Sequence, residues 1–263
     1  MLGAIIGDIV GSVYEFGSDK TKNFPLFTPG SSPTDDSLMT IAVGCACVSS
    51  DTRDEEDFKH TLCRLMREIG RLYPDAGYGE GFYRWLMSDS MGAYNSYGNG
   101  SAMRVSPVAY AAETLGDVER LARWSAEVTH NHPSGVRGAQ AVAAAVFLAR
   151  TGADKTEIRR YIEEKYYDLG FTLDEIRPSC RFDVTCDGSV PQAIVCFLEA
   201  DSFEDAVRNA VSLGGDGDTI AAMAGGIAEA YFGIPAELEE RALGLLDDTL
   251  TEYYFEYADS LYD

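Results

Sequence analysis

Apolar side chains recur at three- and four-residue steps along most of the chain. Phe58, Leu62, Leu65, Met66 and Ile69 form one such stripe, with Lys, Arg and Glu between them. Val118, Leu121, Ala122 and Ser125 form a second, Ile158, Tyr161 and Ile162 a third, and Ala206, Val207, Ala210 and Val211 a fourth. This spacing predicts amphipathic helices. Thr172-x-x-Glu175 and Ser202-x-x-Asp205 have the form of capping boxes at helix starts. Alternating strand patterns are scarce. Short joints at Tyr73–Gly81, Gly92–Gly100, His130–Gly135, Thr185–Pro191 and Gly214–Gly217 separate the helices, and none is long enough to be an interdomain linker. The predicted architecture is all-α, one compact multi-helix domain spanning residues 1–263. Leu250, Tyr253, Tyr254, Tyr257 and Leu261 predict a closing helix docked on that domain.

Composition narrows the possibilities. The chain has 263 residues, 46% of them apolar, which is enough to bury a core. Its formal charge is −22. That field opposes general binding to nucleic acid, where basic groups must displace counterions, and docking on anionic lipid. The longest apolar stretch, Ala141 to Ala149, lies between Arg137 and Arg150 and fits a buried helix rather than a membrane span. No secretory pattern is visible at the first residues. The six cysteines form no CxxC pair and no zinc spacing with the three histidines. They read as reduced, mostly buried thiols of a cytoplasmic protein, and the closing helix, docked on its own domain, fits a monomer.

Two features need more than packing. Gly3, Gly7 and Gly11 share one helical face, which suits a close helix crossing or the approach of backbone to a ligand. Two segments also load carboxylates ahead of apolar helices: Thr34-Asp35-Asp36-Ser37, and Gly214-Gly215-Asp216-Gly217-Asp218-Thr219. Capping accounts for one carboxylate in each. It does not account for two beside a glycine-rich turn, since four crowded carboxylates need a counterion. Hard divalent cations take such oxygen ligands.

At these residues the chain resembles the ADP-ribosylglycohydrolase family. The matching segments run from Gly3 to Glu15, then Thr34-Asp35-Asp36, Tyr97-Gly98-Asn99-Gly100-Ser101-Ala102-Met103-Arg104, Thr129-His130, and Ser212 to Ile220. They occur in the family's order. The resemblance implies an all-α hydrolase that cleaves the glycosidic bond between ADP-ribose and a modified protein side chain or small acceptor. It implies two divalent cations, Mg²⁺ or Mn²⁺, with Thr34, Asp35, Asp36, Asp216, Asp218 and Thr219 as ligands. It implies Glu15 as a gating glutamate beside the metals, and Asn95, Ser96, Tyr97, Gly98, Asn99, Gly100 and His130 as the substrate-binding wall. Gly217 departs from the Ser or Thr that relatives often carry between the two aspartates.

The catalytic candidates are then Glu15, Asp35 and Asp36, with Glu15 the carboxylate least committed to metal. The small residues at 98–100 offer N–H groups of the kind that cradle phosphate. Tyr94 and Tyr97 are positioned to stack on adenine or to pack on the rim. Arg104 reads as an ion-pair partner on the following helix, and His60 as solvated. Two other functions fit the same clusters: a two-metal hydrolase of another nucleotide or small glycosidic metabolite, and a non-catalytic ADP-ribose binder.

Overall fold

The computed structural model describes residues 1–15, 17 and 20–260. Among them lie fourteen α-helices, one 3₁₀ turn at Ser106–Tyr110, and no strand beyond an isolated bridge between Gly98 and Thr185. The helices are α1 (Leu2–Gly11), α2 (Asp35–Ser49), α3 (Glu55–Leu72), α4 (Glu80–Leu86), α5 (Gly100–Met103), α6 (Leu115–Glu127) and α7 (Pro133–Arg150). They continue as α8 (Lys155–Lys165), α9 (Leu173–Ile176), α10 (Cys186–Leu198), α11 (Phe203–Leu213), α12 (Gly217–Phe232), α13 (Ala236–Leu243) and α14 (Asp248–Ser260). The all-α expectation holds among these residues.

Local sequence explains the boundaries. Asp54 opens α3 by accepting from the N–H groups of Glu56 and Asp57, and the helix buries the stripe from Phe58 to Ile69. Thr172 and Glu175 form a reciprocal capping box. The second expected box is one-sided. Ser202 accepts from the Asp205 N–H, but the Asp205 carboxylate accepts from Asp201 instead. The joint expected at Thr185–Pro191 is also corrected. Thr185 caps α10 by accepting from the Gly188 N–H, so the helix begins at Cys186 and runs through Pro191. Pro191 lies inside the helix, in its second turn, where it removes one intrahelical bond without ending the helix.

The inner helices α1, α7 and α12 are apolar nearly all round. The glycine stripe is where α1 crosses α12. A Cβ on Gly7 would stand 2.0 Å from the Ala221 carbonyl oxygen, and one on Gly11 would stand 2.3 Å from the Asp218 Cα. No side chain fits there. The crossing also brings Asp8 of α1 to the N-terminal ends of α2 and α12. At the far side, α14 packs on α2 with Leu250, Tyr254 and Tyr257 buried, as the tyrosine spacing predicted. Leu261 lies outside the described residues. No helix among the described residues is long and apolar enough to cross a membrane.

Candidate active site and metal centre

Both carboxylate segments fold as helix starts, yet their side chains are not engaged as ordinary caps. Thr34, at the N-cap of α2, makes no side-chain cap bond, and neither does Asp216 at the N-cap of α12. The Thr34 hydroxyl donates to Asp8 Oδ1 at 2.5 Å. Asp8 Oδ2 accepts from the Thr34 N–H at 2.8 Å, the Ser37 N–H at 3.1 Å and the Ser37 hydroxyl. Asp8 thus caps α2 from a different helix and leaves Asp35 and Asp36 free of that work. Asn99 Nδ2 donates to Asp216 Oδ2 at 2.6 Å. The Thr219 N–H donates to Asp218 Oδ1, and the Thr219 hydroxyl donates to Asp36 Oδ2 at 3.2 Å. Asp36 Oδ1 is buried and has no partner.

The carboxylates are close enough to disturb one another. Oxygens of Asp8, Asp36 and Asp218 lie within 4.8 Å of each other, as do those of Glu15, Asp216 and Asp218. Burial and then Asp218 push the Asp8 carboxyl up to about 7, against the hydrogen bonds from Ser37 and Thr34. Burial, followed by Asp218, Asp216 and Asp8, raises Glu15 to about 7. Burial and Asp218 raise Asp216 to about 7, against the Asn99 bond. Asp35 and Asp36 are held well above the usual carboxylate range by burial and then by Asp8 and Asp218. Negative charge so crowded favours a hard cation, and the all-oxygen donor set suits one. These acidic groups could hold a metal.

The cluster forms the floor of a cavity of about 440 Å³. Glu15, Thr34, Asp35, Asp36, Asp216, Asp218 and Thr219 line it, together with Ser96, Gly98, Asn99, Gly100 and His130. Asn95 and Tyr97 do not. Asn95 takes a left-handed turn at φ 57°, its N–H held by Asn131 Oδ1. Tyr97 is 55% exposed and meets the edge of His132. The expected phosphate cradle is also narrower than its sequence suggests. The Gly98 N–H donates to Ser96 Oγ and the Asn99 N–H to the Val184 carbonyl. What remains for a ligand is the N–H of Gly100 and that of Ser101, because the N–H groups of Ala102 and Met103 both donate to the Asn99 carbonyl.

The sequence profile of the ADP-ribosylglycohydrolase family matches residues 1–263. The chain belongs to this family. It is 31% identical to mouse (Mus musculus) ADP-ribosylhydrolase ARH3, the match covering 89% of this chain and 83% of the mouse protein. The human (Homo sapiens) protein of the same name is 30% identical, with 89% and 84% covered. An ADP-ribosylarginine hydrolase, Tri1, from Pseudomonas putida (strain GB-1) is 26% identical over 89% of this chain and 70% of its own length. A solved structure described as an ADP-ribosylglycohydrolase-related protein complex superposes with a TM-score of 0.71 at 23% identity, covering 98% of this chain and 95% of that one. That likeness establishes the fold. As a member of the family, the chain is a hydrolase of ADP-ribose glycosidic linkages.

Three features of this ADP-ribosylglycohydrolase were not legible beforehand. Asp8 belongs to the carboxylate cluster, its oxygen within 4.8 Å of those of Asp36 and Asp218, although in the sequence it is only part of a motif. Its signal was a charged residue inside an otherwise apolar helix, which is costly unless partnered. Arg104 is not the expected ion-pair partner. Because α5 ends at Met103, Arg104 turns inward and is fully buried, its Nη2 donating to the Ser125 carbonyl and to Thr129 Oγ1. No carboxylate pairs with it among the described residues. Phe182 and Val184, 52% and 48% exposed, stand at the rim of the cavity, and nothing in their sequence context marked them. Tyr94 lines the cavity as well, 5.9 Å from the His130 ring. His60 is exposed, as expected.

Proposed function

We propose that this ADP-ribosylglycohydrolase is metal-dependent and releases intact ADP-ribose from a modified protein side chain or small acceptor. The whole chain, residues 1–263, would act as one domain and a monomer, with α1 and α14 closing on the same core. Two divalent cations, Mg²⁺ or Mn²⁺, would be held by Thr34, Asp35, Asp36, Asp216, Asp218 and Thr219. The observation that carries this reading is the buried, unpartnered Asp36 Oδ1 inside a ring of carboxylates with raised proton affinity. A divalent ion satisfies that oxygen and neutralises the ring together. When bound, such ions supply Lewis-acid binding of ribose hydroxyls and a more acidic water.

The chain's own residues do the rest. Glu15 is half-buried and sits beside Asp216 and Asp218. With its proton affinity raised to about 7, it exchanges a proton near neutral pH. In our reading Glu15 takes the proton of the attacking water as the water oxygen bonds to C1″. The C1″–acceptor bond breaks, and the acceptor leaves with the proton that Glu15 took from the water, so Glu15 returns to its starting state. Asp35 and Asp36 orient the ribose end. Ser96, Gly100 and His130 hold the diphosphate end, with Gly98 and Asn99 shaping the loop between them, and water is displaced from between.

A product assay tests this on arginine-linked and serine-linked ADP-ribosyl peptides. Intact ADP-ribose from either peptide supports the proposal. AMP with ribose phosphate would instead mean diphosphate cleavage, and ADP-ribose binding with no turnover of either peptide would mean a binding protein.

A further inference from the structure

Arg104, Thr129 and His130 form a buried chain of polar contacts behind the substrate wall. Arg104 and Thr129 are fully buried and His130 is 5% exposed. Arg104 Nη2 donates to Thr129 Oγ1 at 2.9 Å, and that oxygen lies 2.7 Å from His130 Nδ1. On the other side of the ring, Nε2 faces the glycine loop. A Cβ on Gly100 would lie 3.1 Å from Nε2, and one on Gly98 would lie 3.6 Å from it.

Hydrogen-bond bookkeeping gives the chain a direction. A guanidinium has donors and no acceptor, so the Thr129 oxygen must accept from Arg104. Its own hydroxyl proton then needs an acceptor. Among the described residues, the one within hydrogen-bond reach is His130 Nδ1. If Nδ1 carried the proton instead, the Thr129 hydroxyl would be a buried donor without a partner, which is unfavourable. The fixed positive charge of Arg104 also disfavours a second proton on the ring.

We infer that Arg104 is a positioning residue: through Thr129 it fixes His130 as the neutral Nε2–H tautomer, a donor aimed across the Gly98–Gly100 loop at an anionic oxygen of the ligand. Burial and Arg104 together hold the imidazole well below its ordinary range of proton affinity, consistent with the neutral ring. The identity of that oxygen as phosphate rests on the proposed ADP-ribose substrate. The tautomer does not.

The test is the long-range ¹H–¹⁵N imidazole spectrum of the ligand-free protein at neutral pH. The chain has three histidines, and His60→Gln and His132→Gln assign the third. The wild type should show His130 as a single Nε2–H tautomer. Thr129→Ser, which keeps the hydroxyl, should preserve it, and Thr129→Val should let the Nδ1–H form appear. An Nδ1–H or doubly protonated ring in the wild type, or an unchanged ring in Thr129→Val, would overturn the inference. If Thr129→Val does not fold, the wild-type and Thr129→Ser spectra decide. In kinetics, Thr129→Val should raise KM roughly 10-fold with little change in kcat, the loss of one hydrogen bond to a charged group. The double variant with His130→Ala should be no worse than His130→Ala alone, since the residues act as one unit. Equal and additive losses in kcat would contradict the positioning role. A correct tautomer in a protein that releases no ADP-ribose would sink the proposed function and leave this inference standing.

Discussion

Asp8 is the residue on which the acidic cluster depends. It accepts four hydrogen bonds, two from N–H groups at the start of α2 and two from the hydroxyls of Thr34 and Ser37. Removing it orphans all four donors at once. In the Mg²⁺- or Mn²⁺-loaded protein, Asp8→Ala should cost roughly 3 kcal/mol, a fall of about 6–12 °C in Tm for a chain of this size. Thermal unfolding measures it, and a fall of only a degree or two would mean the donors find other partners. Asp36→Ala and Asp218→Ala address the metal centre itself. Each should lower turnover by roughly 100-fold or more, above the loss expected for an outer-shell partner, and each should weaken metal binding in calorimetry. Unchanged metal affinity in either variant would remove that residue from the ligand set. The carboxylates of residues 34–37 and 214–219 were legible because acid doubled beside a helix start exceeds what capping needs. Arg104 was not, because whether a short helix continues past it depends on tertiary packing that no local pattern encodes.

At the scale of elements, the site is made by two helix N-termini meeting across a third helix. The glycines of α1 set the distance. Gly11→Ala would press a Cβ to 2.3 Å from the Asp218 backbone, so α1 or α12 must move and the ligand geometry with it. This variant should lose at least about 1–3 kcal/mol of stability, the range for overpacking, and most of its activity. Gly116→Ala is the control. Gly116 lies in α6 with open space around its Cβ position, and the change should stabilise by ~0.5–1 kcal/mol without altering turnover. If Gly11→Ala unfolded no more readily than wild type, the close crossing would be refuted. The stripe was visible in the sequence as a helix face. Its partner was not, since Ala221 and Gly225 on α12 look like ordinary small residues until the two helices meet. The helices were likewise legible from three- and four-residue spacing. The exception was α10, where Pro191 imitates a break and the Thr185 cap determines the start.

For the molecule as a whole, the charge of −22 divides into a solvated surface and a small crowded interior group. That group makes stability depend on pH in an unusual sense. Asp8, Glu15 and Asp216 are each raised to about 7 in the fold, from carboxylate values near 4. A raised value means the folded state binds protons more tightly, so its contribution is full below the unfolded value and is lost as pH rises through about 7. Chelated protein should therefore melt at a lower temperature at pH 8 than at pH 5. Added Mg²⁺ or Mn²⁺ should recover more stability at pH 8 than at pH 5, because ligands must be deprotonated to bind. A chelated protein most stable at pH 8 would contradict the crowding.

Release of ADP-ribose from a modified peptide, before and after chelation, bears most directly on whether these carboxylates hold a catalytic metal. Untreated protein should release intact ADP-ribose, chelated protein should release almost none, and Mg²⁺ or Mn²⁺ should restore the rate. Undiminished release by the fully chelated protein would show that the acidic cluster works without a metal.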